Sequence, residues 1–207
     1  ILGMSAFDAV CHTMATLSTG GYSTHDASFG YFDSGALQWA ATLFMLSGSI
    51  PSYVYIKAVR TDVRALLSDS QVRILVFFLV MTSVGMAAWL SHHGHIGFGE
   101  ALTLTFFHST SVVSTTGLAS VDYTLWGTGA IGAFLILTFV GGCSGSTSGG
   151  IKIYRFQVLN QVIGAHIKRL TSPHRVVPTH FNGRPLPDDA AISVLAFLTM
   201  FVATIAL

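Results

Sequence analysis

Two short segments of this sequence combine serine, threonine and glycine with no charged residue, and they lie 96 residues apart. The first strip is residues 18–22 (STGGY) and the second strip is residues 114–118 (STTGL). Glycine permits backbone angles that other residues avoid, so consecutive carbonyl oxygens in such a strip can face one axis. Carbonyl oxygens in this arrangement can replace the water shell of a weakly hydrated cation such as potassium, whereas calcium and magnesium call for carboxylate-rich sites. The predicted ligands of this cation are Ser18, Thr19, Gly20, Gly21, Tyr22, Ser114, Thr115, Thr116, Gly117 and Leu118.

The similarity between the two segments extends beyond the strips, because the same offset aligns His12 with His108 and Asp26 with Asp122. An ordinary Ser/Thr/Gly turn would account for one strip, but two strips in register favour ion coordination. The two histidines are predicted to brace the preceding helices through hydrogen bonds rather than to bind a metal. The two aspartates are predicted to raise the cation concentration at the pore mouth, and capping of the following turn is an equally good interpretation.

Each strip follows an apolar stretch that is too short to cross a bilayer as a helix. Residues 7–17 and 99–113 would be about 16 and 22 Å long at the usual helical rise, against about 30 Å of hydrocarbon. Half-length helices are typical of re-entrant segments, whose irregular ends are tolerated only where they are buried in protein or line a wet cavity. Their carboxyl ends carry the negative end of the helix dipole, which favours a cation at the strips.

The composition excludes an ordinary soluble domain, because 51% of the residues are hydrophobic and only 9% are charged, where soluble chains have about 25%. We predict an all-α membrane protein built from repeated units of outer helix, re-entrant helix, strip and inner helix, as in potassium channels. The candidate spans are residues 35–56, 74–90, 126–140 and 190–207.

The ten lysine and arginine residues all fall in two of the connections between these spans. By the positive-inside rule those connections are cytoplasmic, and both strips open to the outside of a multi-pass membrane protein. These basic residues are Lys57, Arg60, Arg64, Arg73, Lys152, Arg155, Lys168, Arg169, Arg175 and Arg184.

A glycine-rich segment, residues 141–150, falls where the third candidate span should continue through the membrane. Five glycines in ten residues predict that the helix unwinds there, and the segment is interpreted as a flexible constriction beneath the strips and hence as a gate. A phosphate-binding loop is excluded because the spacing does not match that motif, while close packing of small residues remains the alternative. The predicted gate residues are Gly141, Gly142, Cys143, Ser144, Gly145, Ser146, Thr147, Ser148, Gly149 and Gly150.

The remaining candidate groups favour other functions less strongly. His92, His93 and His95 could hold a transition metal, but a solvated loop at a membrane end is the commoner explanation. An intramembrane metalloenzyme lacks an HExxH motif, so no enzyme activity, cofactor or nucleic-acid partner is predicted. The third hypothesis is a membrane assembly module that does not transport. Cys11 and Cys143 are predicted to be small buried hydrophobic residues.

Residues 17–26, 114–119 and 141–152 together resemble the TrkH branch of the Trk/Ktr/HKT potassium transporters. The resemblance implies four pseudo-repeats around one pore, with the two strips as the second and third parts of a selectivity filter and residues 141–150 as the gate. It also implies potassium uptake by a channel or a symporter, a homodimer in the bacterial inner membrane, and a TrkA-type cytoplasmic nucleotide-binding subunit. Two positions depart from the usual pattern: Tyr22 stands where phenylalanine is common, and Thr116 replaces the first of the paired glycines.

The resemblance further implies that the sequence is a piece of a longer protein. The predicted divisions are the second pore repeat at 1–56, a cytoplasmic loop at 57–73, the third repeat at 74–169, a cytoplasmic linker at 170–189 and the start of the fourth repeat at 190–207.

Overall fold

The computed structural model describes residues 3–94, 96–171, 180–181, 184–185 and 188–206. The chain divides into two compact units, Ile1–Gly150 and Ile151–Leu207. The described residues are mainly helical, as the composition predicts. The helices of the first unit are α1 (Ala6–Leu17), α2 (Gly35–Gly48), α3 (Ser52–Arg60), α4 (Ala65–Ser68), α5 (Ser70–Gly94), α6 (Phe98–Val113) and α7 (Thr128–Phe139), with short 3-10 turns at Ser28–Tyr31 and Tyr123–Trp126.

The two re-entrant helices have the lengths that the sequence predicts. α1 has 12 residues and α6 has 16, which is about 18 and 24 Å of helix. α1 begins where the Ser5 side chain accepts the Asp8 N–H, and it ends at Leu17, with Ser18 as the capping residue. Both helices therefore stop short of a full bilayer crossing, and each delivers its carboxyl end to a strip.

α5 is the described helix that is long and apolar enough to cross a membrane by itself. The helix predicted at 74–90 is present and extends by one turn at each end, to 25 residues. One side of α5 packs on α6, where Leu75, Leu79 and Ala87 are buried, while Phe77 and Met81 are exposed. Large apolar side chains on the outer face are those that a lipid-facing helix presents.

The core of the first unit lies where α2 packs between α1 and α6. Met45 and Phe107 are fully buried there, together with Phe29 and Leu118. Because Leu118 belongs to the second strip, the strip is anchored directly in the hydrophobic core.

The prediction of one continuous helix over residues 35–56 is wrong, because the structure breaks it between Gly48 and Ser52. Pro51 has no N–H and disfavours helical angles at the residue before it. The carbonyl groups left unpaired at the break are satisfied by the glycine-rich segment. The Cys143 N–H donates to the Ser49 carbonyl at 3.0 Å, and the Thr147 N–H donates to the Gly48 carbonyl at 3.3 Å.

The second unit contains α8 (Ile153–Thr171), the strand pair β1 (His180–Phe181) and β2 (Arg184–Pro185), and α9 (Asp188–Ala206). The strands are antiparallel, with Phe181 opposite Arg184. Within this unit α8 packs on α9, and the Arg155 guanidinium lies 3.7 Å from the centre of the Phe197 ring. Most of the predicted linker at 170–189 lies outside the described residues.

Candidate functional site

The backbone of the two strips repeats at the same 96-residue offset as the sequence. Thr19 and Thr115 have φ angles of 53° and 56°, and Gly21 and Gly117 have φ angles of 72° and 82°. A threonine in this left-handed region is uncommon and costs about 1–2 kcal/mol. Because the same strained backbone conformation recurs at matching positions, the surrounding structure must hold it in place. Strained backbone of this kind is common at functional sites.

Matched hydrogen bonds tie each strip to the end of its helix. The Gly20 N–H donates to the Ala15 carbonyl at 2.8 Å, and the Thr116 N–H donates to the Ser111 carbonyl at 2.9 Å. In a trans peptide the carbonyl points opposite to the following N–H. The carbonyl groups of Thr19 and Thr115 therefore point away from the helices, as coordination of an ion beyond the helix ends requires.

The two strips lie against each other at Gly21. A Cβ atom at Gly21 would overlap the Thr116 carbonyl oxygen, so this glycine is required both by its φ angle and by the close approach. A Cβ at Gly117, in contrast, would meet no atom within 4 Å in the described part of the chain. Gly117 therefore borders open space beside the strips.

The other strip residues have distinct environments. Ser114 and Thr116 are buried, and their hydroxyl oxygens are 2.6 Å apart. Leu118 packs in the core, and its carbonyl accepts the Ser111 hydroxyl at 2.6 Å. Tyr22 is 83% exposed, so its side chain takes no part in this packing.

The prediction that His12 and His108 brace the re-entrant helices is confirmed. Each Nδ1 lies at hydrogen-bond distance from a carbonyl oxygen one turn earlier, that of Asp8 at 2.8 Å or that of Leu104 at 2.9 Å. In His12, a proton on Nδ1 leaves Nε2 as an acceptor, and this nitrogen lies 2.9 Å from the Ser23 hydroxyl. Nε2 of His108 lies 3.1 Å from the Val121 carbonyl oxygen and 3.3 Å from the Ser120 nitrogen. Each histidine thus joins its helix to the chain that leaves the strip.

Replacing His108 with alanine is expected to lower the free energy of unfolding by about 3 kcal/mol, because a buried side chain and two hydrogen bonds are lost. His92→Ala is the control, because His92 is exposed at the end of α5. Thermal denaturation in detergent would measure both. Equal midpoints for the two variants would contradict the bracing role.

The glycine-rich segment unwinds the helix as predicted, since α7 ends at Phe139 and α8 begins at Ile153. It folds back on itself, because a Cβ at Gly141 would overlap the Gly149 carbonyl oxygen. The Gly142 N–H donates to the Ser148 hydroxyl at 3.1 Å. The segment therefore forms a loop whose two ends lie against each other. The closest approach at a glycine of this segment, between Gly141 and the Gly149 carbonyl oxygen, lies within the loop and not between two packed helices.

The loop is hydrogen-bonded to the same position in both strips. The Gly149 N–H donates to Thr115 Oγ1 at 2.7 Å, and Thr19 Oγ1 donates to Thr147 Oγ1 at 3.1 Å. Thr147 Oγ1 in turn donates to the Gly48 carbonyl at 3.0 Å. The loop thus joins the inner ends of both strips to the break between α2 and α3, an arrangement that the separate sequence motifs did not predict.

The matched aspartates differ in their contacts. Asp122 accepts the Thr124 hydroxyl at 2.6 Å and the Thr124 N–H at 2.9 Å, so it caps the following turn. These donors hold the pKa of the Asp122 carboxyl below its usual range, and the group is ionised at neutral pH. Asp26 is exposed. Both carboxylates follow a strip, where a negative charge attracts cations.

The histidines after α5 are arranged as a surface group. His92 and His93 are exposed, and the His93 ring stacks on Trp89 with ring centres 4.9 Å apart. His95 lies outside the described residues. Within the described ranges, no group of three or more potential metal ligands comes together.

Sequence reasoning did not single out Gln71, which the structure places next to the glycine-rich loop. Its Oε1 accepts the Ser144 N–H at 2.8 Å, although the two residues are 73 positions apart. No signal in the sequence pointed to this contact, because the predicted span begins at residue 74 and the burial of Gln71 is visible only in the structure.

Comparison with known proteins places these features in one family. The sequence model of the TrkH cation transport proteins matches residues 3–207. The chain is 44% identical over 205 residues to the Trk system potassium uptake protein TrkI of Halomonas elongata, covering 99% of this chain and 42% of that protein. It is 32% identical over 202 residues to TrkG of Escherichia coli, covering 97% of this chain and 42% of that protein.

The fold matches as well. The crystal structure of the potassium transporter TrkH from Vibrio parahaemolyticus superimposes with a TM-score of 0.90 at 29% identity, over 97% of this chain and 44% of that one. The predicted all-α membrane fold is therefore confirmed. The chain spans less than half the length of the relatives that it matches. Over nearly its whole length, in sequence and in fold, this chain belongs to the TrkH family of cation transport proteins.

Proposed function

We propose that this chain forms part of a potassium uptake pore in which the two strips supply backbone carbonyl ligands to a dehydrated potassium ion. The observation that carries the proposal is the matched backbone: the left-handed angles at Thr19 and Gly21 recur at Thr115 and Gly117. The relatives at 32–44% identity are named as potassium uptake proteins, which supports potassium as the cargo.

The electrostatics of the site suit a monovalent cation. The strips hold no charged side chain, and each receives the negative end of a re-entrant helix. Partial charges of this kind favour a cation without the strong binding that a carboxylate cage would give. Conduction requires such moderate binding, because the ion must also leave. Asp26 and Asp122 would concentrate cations at the outer mouth.

We propose that residues 141–150 are the gate. The loop is hydrogen-bonded to Thr19 and Thr115, so movement of the loop and the geometry of the strips are coupled. Its segment lacks helical hydrogen bonds, and it can therefore move without the unfolding of a helix. In this proposal the structure represents the closed gate, and the close approach of Gly141 to the Gly149 carbonyl oxygen is a feature of that closed form.

In this proposal the whole protein lies in the bacterial inner membrane, with the strips facing outward and the lysine- and arginine-containing connections facing the cytoplasm. Its assembly is a homodimer with a TrkA-type nucleotide-binding subunit on the cytoplasmic side. The proposed divisions of this chain are the second repeat at 1–56, the third repeat at 74–169 and the start of the fourth repeat at 190–207, joined by cytoplasmic connections.

The alternative of an assembly module without transport gives no reason for strained threonines at matched positions. His12 and His108 are not available as metal ligands for the metalloenzyme alternative, because both ring nitrogens of each histidine contact protein atoms.

Radioactive rubidium uptake tests the proposal in potassium-starved cells that express the full-length protein. We expect saturable uptake that potassium suppresses at least tenfold better than sodium, the preference expected of a carbonyl filter. The empty vector is the control. Absence of uptake, with the protein confirmed in the membrane, would support the assembly module instead.

A further inference from the structure

A buried amide outside both strips contacts the glycine-rich loop. Gln71 is 2% exposed, and its Oε1 accepts the Ser144 N–H at 2.8 Å. Burying an amide in an apolar helix is costly unless it is hydrogen-bonded, so this contact explains why a polar side chain is tolerated there. We propose that Gln71 is a positioning residue that holds the loop closed, an inference that rests on the proposed gate function of the loop.

Two neighbours fix the position of Gln71. Asp69 Oδ1 accepts the Gln71 N–H at 2.9 Å, as a residue that caps a helix does. The Tyr53 hydroxyl donates to Asp69 Oδ2 at 2.6 Å, and Gln71 Nε2 lies 3.5 Å from the same hydroxyl. Asp69 thus holds the backbone of Gln71 and the Tyr53 hydroxyl, and that hydroxyl is the neighbour of the side-chain amide. Together they connect the loop to the start of α5 and to α3.

The hydrogen bond between Gln71 and Ser144 can break without disrupting a helix, and it is called the latch below. It joins a side chain to non-helical backbone, so breaking it opens no helix. Other bonds of the loop reach the strips or the break between α2 and α3, through Gly149, Thr147, Gly145 and Cys143. The Gln71 contact therefore restrains the amino-terminal half of the loop against α5, a helix that carries neither strip. Without it, the Ser144 N–H would lose its partner, and the closed position would lose stability relative to open ones.

The chain carries its own reporter of loop position. Cys143 precedes Ser144 and is fully buried in the closed loop. Opening of the loop exposes its thiol to a maleimide reagent, and the labelling rate then measures the open fraction without any need for ion flux. The assay uses the full-length protein with Cys11 and any cysteine outside this chain replaced by alanine.

Gln71→Met is the decisive variant, because methionine has nearly the same length but cannot accept the Ser144 N–H equally well. We expect the labelling rate of Cys143 and the basal rubidium leak to rise roughly tenfold, as for the loss of one buried hydrogen bond. Tyr53→Phe removes only the hydroxyl that orients the amide, and we expect a rise of about threefold in both rates.

Ser83→Ala is the matched control. Ser83 lies in the same helix and is fully buried, and its hydroxyl makes no hydrogen bond within the part of the chain that the structure describes. We expect wild-type labelling and leak from this variant. A rise equal to that of Gln71→Met would mean that any polar loss in α5 loosens the loop, which would overturn the specific role of Gln71.

The two readouts separate this inference from the proposed function. Wild-type labelling in Gln71→Met, in a protein that transports rubidium, overturns the latch and leaves the pore intact. Faster labelling in a protein that transports no rubidium supports the latch and overturns the pore. If Gln71→Met does not accumulate in the membrane, Tyr53→Phe decides by the same labelling measurement.

Discussion

Gly117→Ser is expected to fold and reach the membrane but to lose about tenfold of its preference for potassium over sodium, whereas Gly21→Ser is expected not to fold. A side chain at Gly117 meets no atom of the described residues within 4 Å, and its cost there is the strain of a positive φ angle, about 1–2 kcal/mol. A side chain at Gly21 has the same strain and also overlaps the Thr116 carbonyl oxygen. The combined cost at Gly21 exceeds about 3 kcal/mol.

The two measurements are the amount of protein in the membrane and rubidium uptake in competition with sodium. Gly99→Ser is the matched control, because Gly99 lies in α6, outside the strip, and a Cβ there meets no described atom within 4 Å. We expect it to behave as the wild type. Unchanged selectivity in Gly117→Ser would remove the second strip from the ion pathway, and normal folding of Gly21→Ser would contradict the close contact between the strips.

The second large effect is expected at Gly141. Gly141→Ala places a methyl group against the Gly149 carbonyl oxygen, so the loop cannot fold back on itself as it does in this structure. We expect a pore that leaks rubidium at least tenfold faster than the wild type in proteoliposomes, because a steric clash of about 2 kcal/mol shifts the closed loop toward open forms. Shortening residues 141–150 should have the same effect and weaken control by nucleotide.

Gly132→Ala is the control for the gate. Gly132 lies in α7, and a Cβ there meets no described atom within 4 Å, so alanine adds helix stability and changes no contact. A wild-type leak rate in Gly141→Ala, with regulation intact, would show that the loop does not gate the pore.

The sequence by itself determined the local features of this protein. The paired strips, the half-length helices before them and the unwound segment at 141–150 follow from composition and spacing within short windows, which propensity and hydrophobic length report directly. The matched histidines were also predictable, because the 96-residue offset aligns them and a bracing role needs only nearby partners. These features depend on residues close in the chain.

The tertiary structure decided which of these segments touch. It places Gly21 against Thr116, breaks the predicted helix over residues 35–56 at Pro51, and fills that break with the loop through Thr147, 99 positions from Gly48. It also brings Gln71 to Ser144, across 73 positions. Such contacts depend on how α2, α5 and α6 pack, because burial and hydrogen-bond satisfaction are properties of the packed molecule and leave no periodic pattern in the sequence.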